Sequence, residues 1–171
     1  WGSGWPSEEK FQHDAGAAYA LLRKEESIDP RKIIVIGSSI GTGIAAYTAH
    51  AYQVGVLVLL SPYTSLRNVV AEMPVVGALS PFLRYDFPTQ DFLSKINDAC
   101  LIIAHGRRDS TIPFSHSEKL SSLYSGRGRM LFLPSSEAGH NDLLARVNPE
   151  LAQAMLRCLP DDASQGPRSS E

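Results

Sequence analysis

Gly37-Ser38-Ser39-Ile40-Gly41 has the G-x-S-x-G spacing that sets a serine at the crest of a sharp strand-to-helix turn. Ser39 is the central residue, whereas Ser38 should point elsewhere. Gly37 and Gly41 should let backbone approach where a Cβ would clash. A serine hydroxyl is a weak nucleophile. It needs a base, and the base needs an acid to orient it. Asp109 follows an apolar run in His105-Gly106-Arg107-Arg108-Asp109, and His140 follows a later one in Ala138-Gly139-His140-Asn141-Asp142. Ser39, Asp109 and His140 are therefore the candidate nucleophile, orienting acid and general base. The Ile40 N–H, one residue past Ser39 and at a helix start, is a candidate oxyanion donor.

Each residue alone has a plainer reading. Asp109 could cap the helix that starts near Phe114, and His140 could be an exposed loop histidine. Coincidence at all three places is less expected than one shared site. Asp86 is the alternative acid, if the loop after Leu60 supplies it. His13 and His50 lie in helical patterns, and His116 lies at a helix start. His105 ends a strand-like run, where a supporting hydrogen bond is its natural role. Asp142 suits bonds within its own loop. Arg107 and Arg108 suit solvent, with contact to an anionic substrate as the lesser option. Gly37, Gly41 and Gly43 do not make G-x-G-x-x-G, and no G-K-[ST] follows, which argues against a nucleotide loop.

These residues must be held by regular elements. The spacing of Phe11, Ala15, Ala18, Tyr19 and Leu22 predicts a helix starting near Ser7 and ending before Asp29-Pro30. Residues 32–36 and 54–60 are β-rich apolar runs that suit buried parallel strands. Further strands are expected over 100–104 and 130–133. Helices are expected over 40–52, 66–73, 114–124 and 149–159, the last with Pro149 near its first turn. Alternating strands and helices predict an α/β fold, a mostly parallel sheet of about four strands flanked by helices. Residues 73–92 hold Pro74, Pro81 and Pro88 among apolar side chains and fit the alternation poorly. They read as a linker packed on the core, or as a cap over a pocket for an apolar substrate.

A chain of 171 residues with 43% apolar and 20% charged side chains suits one globular domain, expected over 1–159. Residues 160–171 are polar and should be disordered. The formal charge of −2 provides no basic field, which argues against nucleic-acid binding as the main role. No apolar run reaches the ~18 residues of a membrane-crossing helix. Cys100 and Cys158 are too few for a disulfide framework and lack metal spacing, so two free thiols in a reducing compartment are expected. Cys100 should be a small core residue.

Taken together, these motifs resemble the α/β-hydrolase-fold serine hydrolases. The resemblance is carried by Pro6-Ser7-Glu8-Glu9 with Asp14, Ile36-Gly37-Ser38-Ser39-Ile40-Gly41-Thr42-Gly43 and Ser61-Pro62-Tyr63-Thr64-Ser65. It continues through Ile103-Ala104-His105-Gly106 with Asp109, Ile112-Pro113-Phe114-Ser115-His116 and Gly139-His140-Asn141-Asp142. The chain is most similar to the alpha/beta hydrolase-domain branch that includes protein depalmitoylases and lysophospholipid lipases. Some members of the wider family carry a serine aminopeptidase label. The resemblance implies hydrolysis of an acyl ester or thioester through an acyl-enzyme, with an acylated protein or a lipid among the substrates. It implies no metal or organic cofactor. Peptide hydrolysis on the same fold and a catalytically silent interaction module are the alternatives. The compartment stays open, with cytoplasmic or peripheral membrane attachment favoured over secretion.

The chain shows fewer strands than such folds usually have, and it starts at Trp1 rather than Met. The expectation is the C-terminal part of a longer hydrolase, lacking the early strands and the loop that supplies a second oxyanion N–H. Loss of one such donor costs about 10²–10³ in rate. The nucleophile strand would then be an exposed sheet edge, an aggregation hazard. Poor activity and marginal stability are expected of the chain alone.

Overall fold

The computed structural model describes residues 7–25, 28–74 and 76–160. The expected features at Pro6, Val75 and 161–171 lie outside them. Helix α1 spans Glu8–Glu25, with Glu8 and Glu9 in its first turn and Arg23 and Lys24 in its last, which matches the helix dipole. Ser7 Oγ accepts the Lys10 N–H at 3.2 Å and caps it. Pro30–Lys32 then forms a 3-10 turn capped by Asp29, whose carboxylate accepts the Arg31 N–H. That turn uses up Lys32, so strand β1 is Ile34–Ser38, two residues later than expected, and it runs directly into the serine turn.

Helix α2 (Gly41–Ala51) leads to β2 (Val56–Leu60). Helices α3 (Leu66–Ala71) and α4 (Thr89–Leu93) precede β3 (Cys100–Gly106). Helix α5 (Ser115–Leu123), β4 (Met130–Ser135) and α6 (Leu143–Cys158) complete the described fold. The four strands form one parallel sheet in the order β1-β2-β3-β4. The register places Ser38 beside Leu60, Leu60 beside Ala104 and His105 beside Pro134. The carboxyl ends of all strands therefore lie along one sheet edge, where such sheets carry their sites.

Strand residues alternate between two cores. On one face Leu57, Leu59, Leu101 and Ile103 pack on Ala45 and Ala49 of α2, Leu93 of α4 and Leu120 of α5. On the other, Val56, Val58, Leu60, Ile102 and Ala104 pack on Leu143, Val147, Leu151 and Ala154 of α6. Each fully buried Leu, Ile or Val contributes about 1.5–3 kcal/mol of transfer free energy. That 3–4-residue stripe explains why α6 begins at Leu143 rather than at Pro149. The apolar face is continuous through Pro149, which lies inside the helix.

The cysteines overturn their expectation. Cys100 and Cys158 form a disulfide, with Cα atoms 5.7 Å apart. Cys100 opens β3 and Cys158 closes α6, and α6 packs back along β3. Their separation of 58 positions hides this meeting from the sequence.

Residues 73–92 contain a 3-10 turn over Gly77–Phe82. Phe87 packs on Tyr63, Val69 and Ile112, while Leu79 and Phe82 are exposed. Among the described residues β1 pairs with β2 alone. Ile36, on the α6 side of the sheet, is 54% exposed because α6 covers β2, β3 and β4 instead. A cavity of about 500 Å³ runs along β1 beside α1, lined by Phe11, Tyr19, Ile36, Ile40 and Ile44 among others. No described helix is long and apolar enough to cross a membrane.

Candidate active site

The turn between β1 and α2 sets Ser39 in the left-handed region, at φ 52°. A non-glycine residue held there stores about 1–3 kcal/mol of strain. Three hydrogen bonds hold it. The Ser39 N–H donates to the Leu60 carbonyl at 2.9 Å, and the Ser39 carbonyl accepts from the Thr42 N–H at 3.0 Å and from Thr42 Oγ1 at 2.7 Å. Gly37 is required here, since a Cβ would lie 2.6 Å from the Gly41 carbonyl oxygen and 2.6 Å from the Ala45 Cβ. Gly41 differs from expectation, because a Cβ there meets nothing within 4 Å. Gly41 lines the open cavity along β1, so no backbone approaches it.

His140 lies between Ser39 and Asp109. Its Nδ1 is 2.7 Å from Asp109 Oδ2, and its Nε2 is 2.9 Å from Ser39 Oγ. A carboxylate only accepts, so Nδ1 carries the proton and Nε2 accepts the Ser39 O–H. The His140 side chain is 16% exposed and that of Asp109 is 0% exposed. The histidine loop is built locally. Gly139 N–H donates to Asp142 Oδ1 at 2.7 Å, as expected of Asp142, which also pairs with Arg146. The Arg108 N–H donates to the Ala138 carbonyl at 3.0 Å and ties the acid loop to the histidine loop.

Asp109 is anchored through both oxygens. Oδ1 accepts the Thr111 and Ile112 N–H groups, each at 2.9 Å. Oδ2 accepts from His140 and lies 3.2 Å from His105 Nε2. Burial pushes the carboxyl up, but the bonds from Ile112, His140 and Thr111 outweigh it and hold Asp109 below the ordinary carboxylate range. Burial pushes the His105 imidazole down, which favours its uncharged form. Asp86, the alternative acid, instead accepts the Arg67 N–H at 3.0 Å. Arg108 pairs with Glu137, and Arg107 lies over the Phe114 ring.

Several supporting residues escaped the sequence reading. Tyr63, buried, donates its hydroxyl to the Ile40 carbonyl at 2.9 Å and steadies the turn. Ser117 meets His105 Nδ1 at 2.5 Å. Ser61 is buried at the end of β2 with φ 45°. The hydroxyls of Tyr63 and Ser117 serve atoms far away in sequence, so no local spacing marks their roles. Ser61 and Tyr63 stand just past a buried strand, in a run that carries the resemblance but was given no role. Among the described residues no group of three or more His, Cys, Asp or Glu side chains could hold a metal ion.

No protein-family profile matches the chain. It is 35% identical over 160 residues to alpha/beta hydrolase domain-containing protein 17B of Xenopus laevis, covering 90% of this chain and 53% of that protein. Among solved structures, an alpha-beta hydrolase from Vibrio vulnificus superposes with a TM-score of 0.70 at 22% identity, over 88% of this chain and 58% of that one. An acylaminoacyl peptidase from Pyrococcus horikoshii superposes with a TM-score of 0.72 at 13% identity, over 93% of this chain and 29% of that one. The two structural likenesses concern the fold alone. The chain therefore has the alpha/beta hydrolase fold, and it spans about half the length of the curated relatives it matches.

Proposed function

We propose that the chain carries a serine hydrolase centre that cleaves acyl esters or thioesters. The observation that supports this reading most is the placement of His140, with one ring nitrogen on Ser39 Oγ and the other on Asp109 Oδ2. Ser39 Oγ attacks the acyl carbon as its proton passes to His140 Nε2. The Ile40 N–H, at the start of α2, donates to the developing oxyanion. Collapse of the tetrahedral species breaks the acyl bond, and His140 returns the proton to the departing alcohol or thiol. Water then attacks the acyl-Ser39 ester with His140 again as base, which releases the acid and restores Ser39. Asp109, kept ionised by its amide donors, stabilises the imidazolium that forms twice in each cycle.

Ile36, Ile40 and Phe87 line the apolar cavity along β1, which reaches Ile40, the residue after Ser39. That cavity suits an apolar acyl chain, carried on a protein thiol or a lipid. The test is a panel of esters, thioesters and anilides of matched acyl group, with Ser39→Ala and His140→Ala beside the unaltered chain. Ester or thioester turnover that is lost in both variants is expected. Turnover that survives Ser39→Ala, or anilides as the preferred substrates, contradicts the reading.

A further inference from the structure

Two imidazoles converge on one carboxylate oxygen. Asp109 Oδ2 is 2.7 Å from His140 Nδ1 and 3.2 Å from His105 Nε2. The His105 side chain has 0% exposure. Its Nε2 also lies 3.0 Å from the Ile112 carbonyl oxygen, and its Nδ1 lies 2.5 Å from Ser117 Oγ. Carbonyl and carboxylate oxygens only accept, so Nε2 carries the proton and Nδ1 accepts the Ser117 O–H. Partners at both ends of the ring thus select one tautomer. The Phe114 ring, edge-on with centroids 5.5 Å apart, packs against the imidazole.

We propose that His105 is a positioning residue, whose single Nε2–H, bonded to the Ile112 carbonyl at 3.0 Å and shared with Asp109 Oδ2 3.2 Å away, holds Asp109 in the orientation that presents Oδ2 to His140. The role rests on the triad reading of Ser39, His140 and Asp109. The amide donors of Thr111 and Ile112 fix only Oδ1, and the carboxylate can still twist about its Cβ–Cγ bond. His140 cannot serve as the second anchor, because it is the group being positioned and must exchange protons on its other face. His105 supplies that anchor from a β3 position buried in the core. A neutral donor suits the task. A cation at this place would offset the attraction between Asp109 and the imidazolium of His140. The titratable groups facing His105 are Asp109 on its loop and His116 on α5, itself buried.

His105→Gln keeps an N–H donor at the ring's reach, whereas His105→Leu fills space without one. The first readout is ring nitrogen NMR of histidine-labelled chain at neutral pH. The expected spectrum places the His105 proton on Nε2, and the His140 Nδ1–H resonance moves in His105→Leu but stays in His105→Gln. The second is the rate of fluorophosphonate labelling of Ser39. His105→Leu is expected to lower the maximal rate about tenfold with the half-saturating probe concentration unchanged, and His105→Gln to restore most of it. A proton on His105 Nδ1, or equal behaviour of the Leu and Gln variants by NMR, overturns the proposal. Failure of the unaltered chain to label overturns the hydrolytic reading instead, and the NMR comparison still decides whether His105 holds Asp109.

Discussion

Ser39, the proposed nucleophile, sits on an unfavourable backbone. Its φ of 52° carries a Cβ where glycine would sit without strain, and the bonds to Leu60 and Thr42 hold it there. Ser39→Gly should therefore raise stability by about 0.5–1 kcal/mol in urea unfolding while abolishing probe labelling. A variant of lower stability would show that the turn is not strained. At this scale the sequence was most informative where motif and order coincide. Ser39, Asp109 and His140 each follow a strand, and the structure brings them within hydrogen-bond reach of one another. It was silent where a side chain acts across the fold. The Tyr63 hydroxyl meets the carbonyl of Ile40, 23 residues away, and Ser117 meets His105, 12 residues away. Gly41 shows the reverse error, because its place in the motif predicts crowding and the structure leaves open space.

Elements were legible in kind and less so in extent. Strand β1 starts late because Asp29 caps a turn that takes up Lys32, although residues 32–36 read as one apolar run. Helix α6 starts at Leu143 because its buried stripe outweighs the signal of Pro149. Proline inside a helix removes one backbone bond and crowds the carbonyl of the preceding turn. Pro149→Ala should thus stabilise the chain, by an amount approaching the roughly 3 kcal/mol that separates the two residues in helix interiors. The midpoint of urea unfolding measures it, and no gain would mean that α6 effectively begins at Pro149. Among the described residues β1 pairs on one side only, and Ile36 is exposed there, a template for strand addition. Ile36→Lys should suppress concentration-dependent association in sedimentation, and unchanged association would place the contact elsewhere.

The whole molecule joins two cores through one sheet, with buried ionisable groups at its carboxyl edge. Burial pushes both His105 and His116 down, for His116 against the opposing pull of Glu72. The unfolded chain protonates its histidines near pH ~6.5, whereas in the fold these two take up protons only at lower pH. Their contribution is complete above that pH and is lost as pH falls below it, by up to about 1.4 kcal/mol per pH unit for each imidazole. Asp109 adds to this only in stronger acid, since its lowered carboxyl stabilises the fold above ~3.9 and stops doing so as pH falls further. Urea unfolding between pH 7 and pH 5, two conditions about two units apart, should show a steeper loss for the unaltered chain than for His116→Gln. Equal slopes would mean that His116 titrates normally. The disulfide is a second long-range term. It closes a loop of 58 residues, and the chain-entropy relation gives it about 4 kcal/mol. This pairing was the largest feature the sequence concealed, because only the packing of α6 on β3 brings Cys158 to Cys100.

Activation of Ser39 by His140 is tested most directly by treating the purified chain with a fluorophosphonate and locating the adduct by peptide mass spectrometry. A single phosphonylated residue, Ser39, is expected, with loss of the adduct in His140→Ala. A folded chain that stays unmodified, or one modified at Ser39 equally well without His140, would contradict that activation.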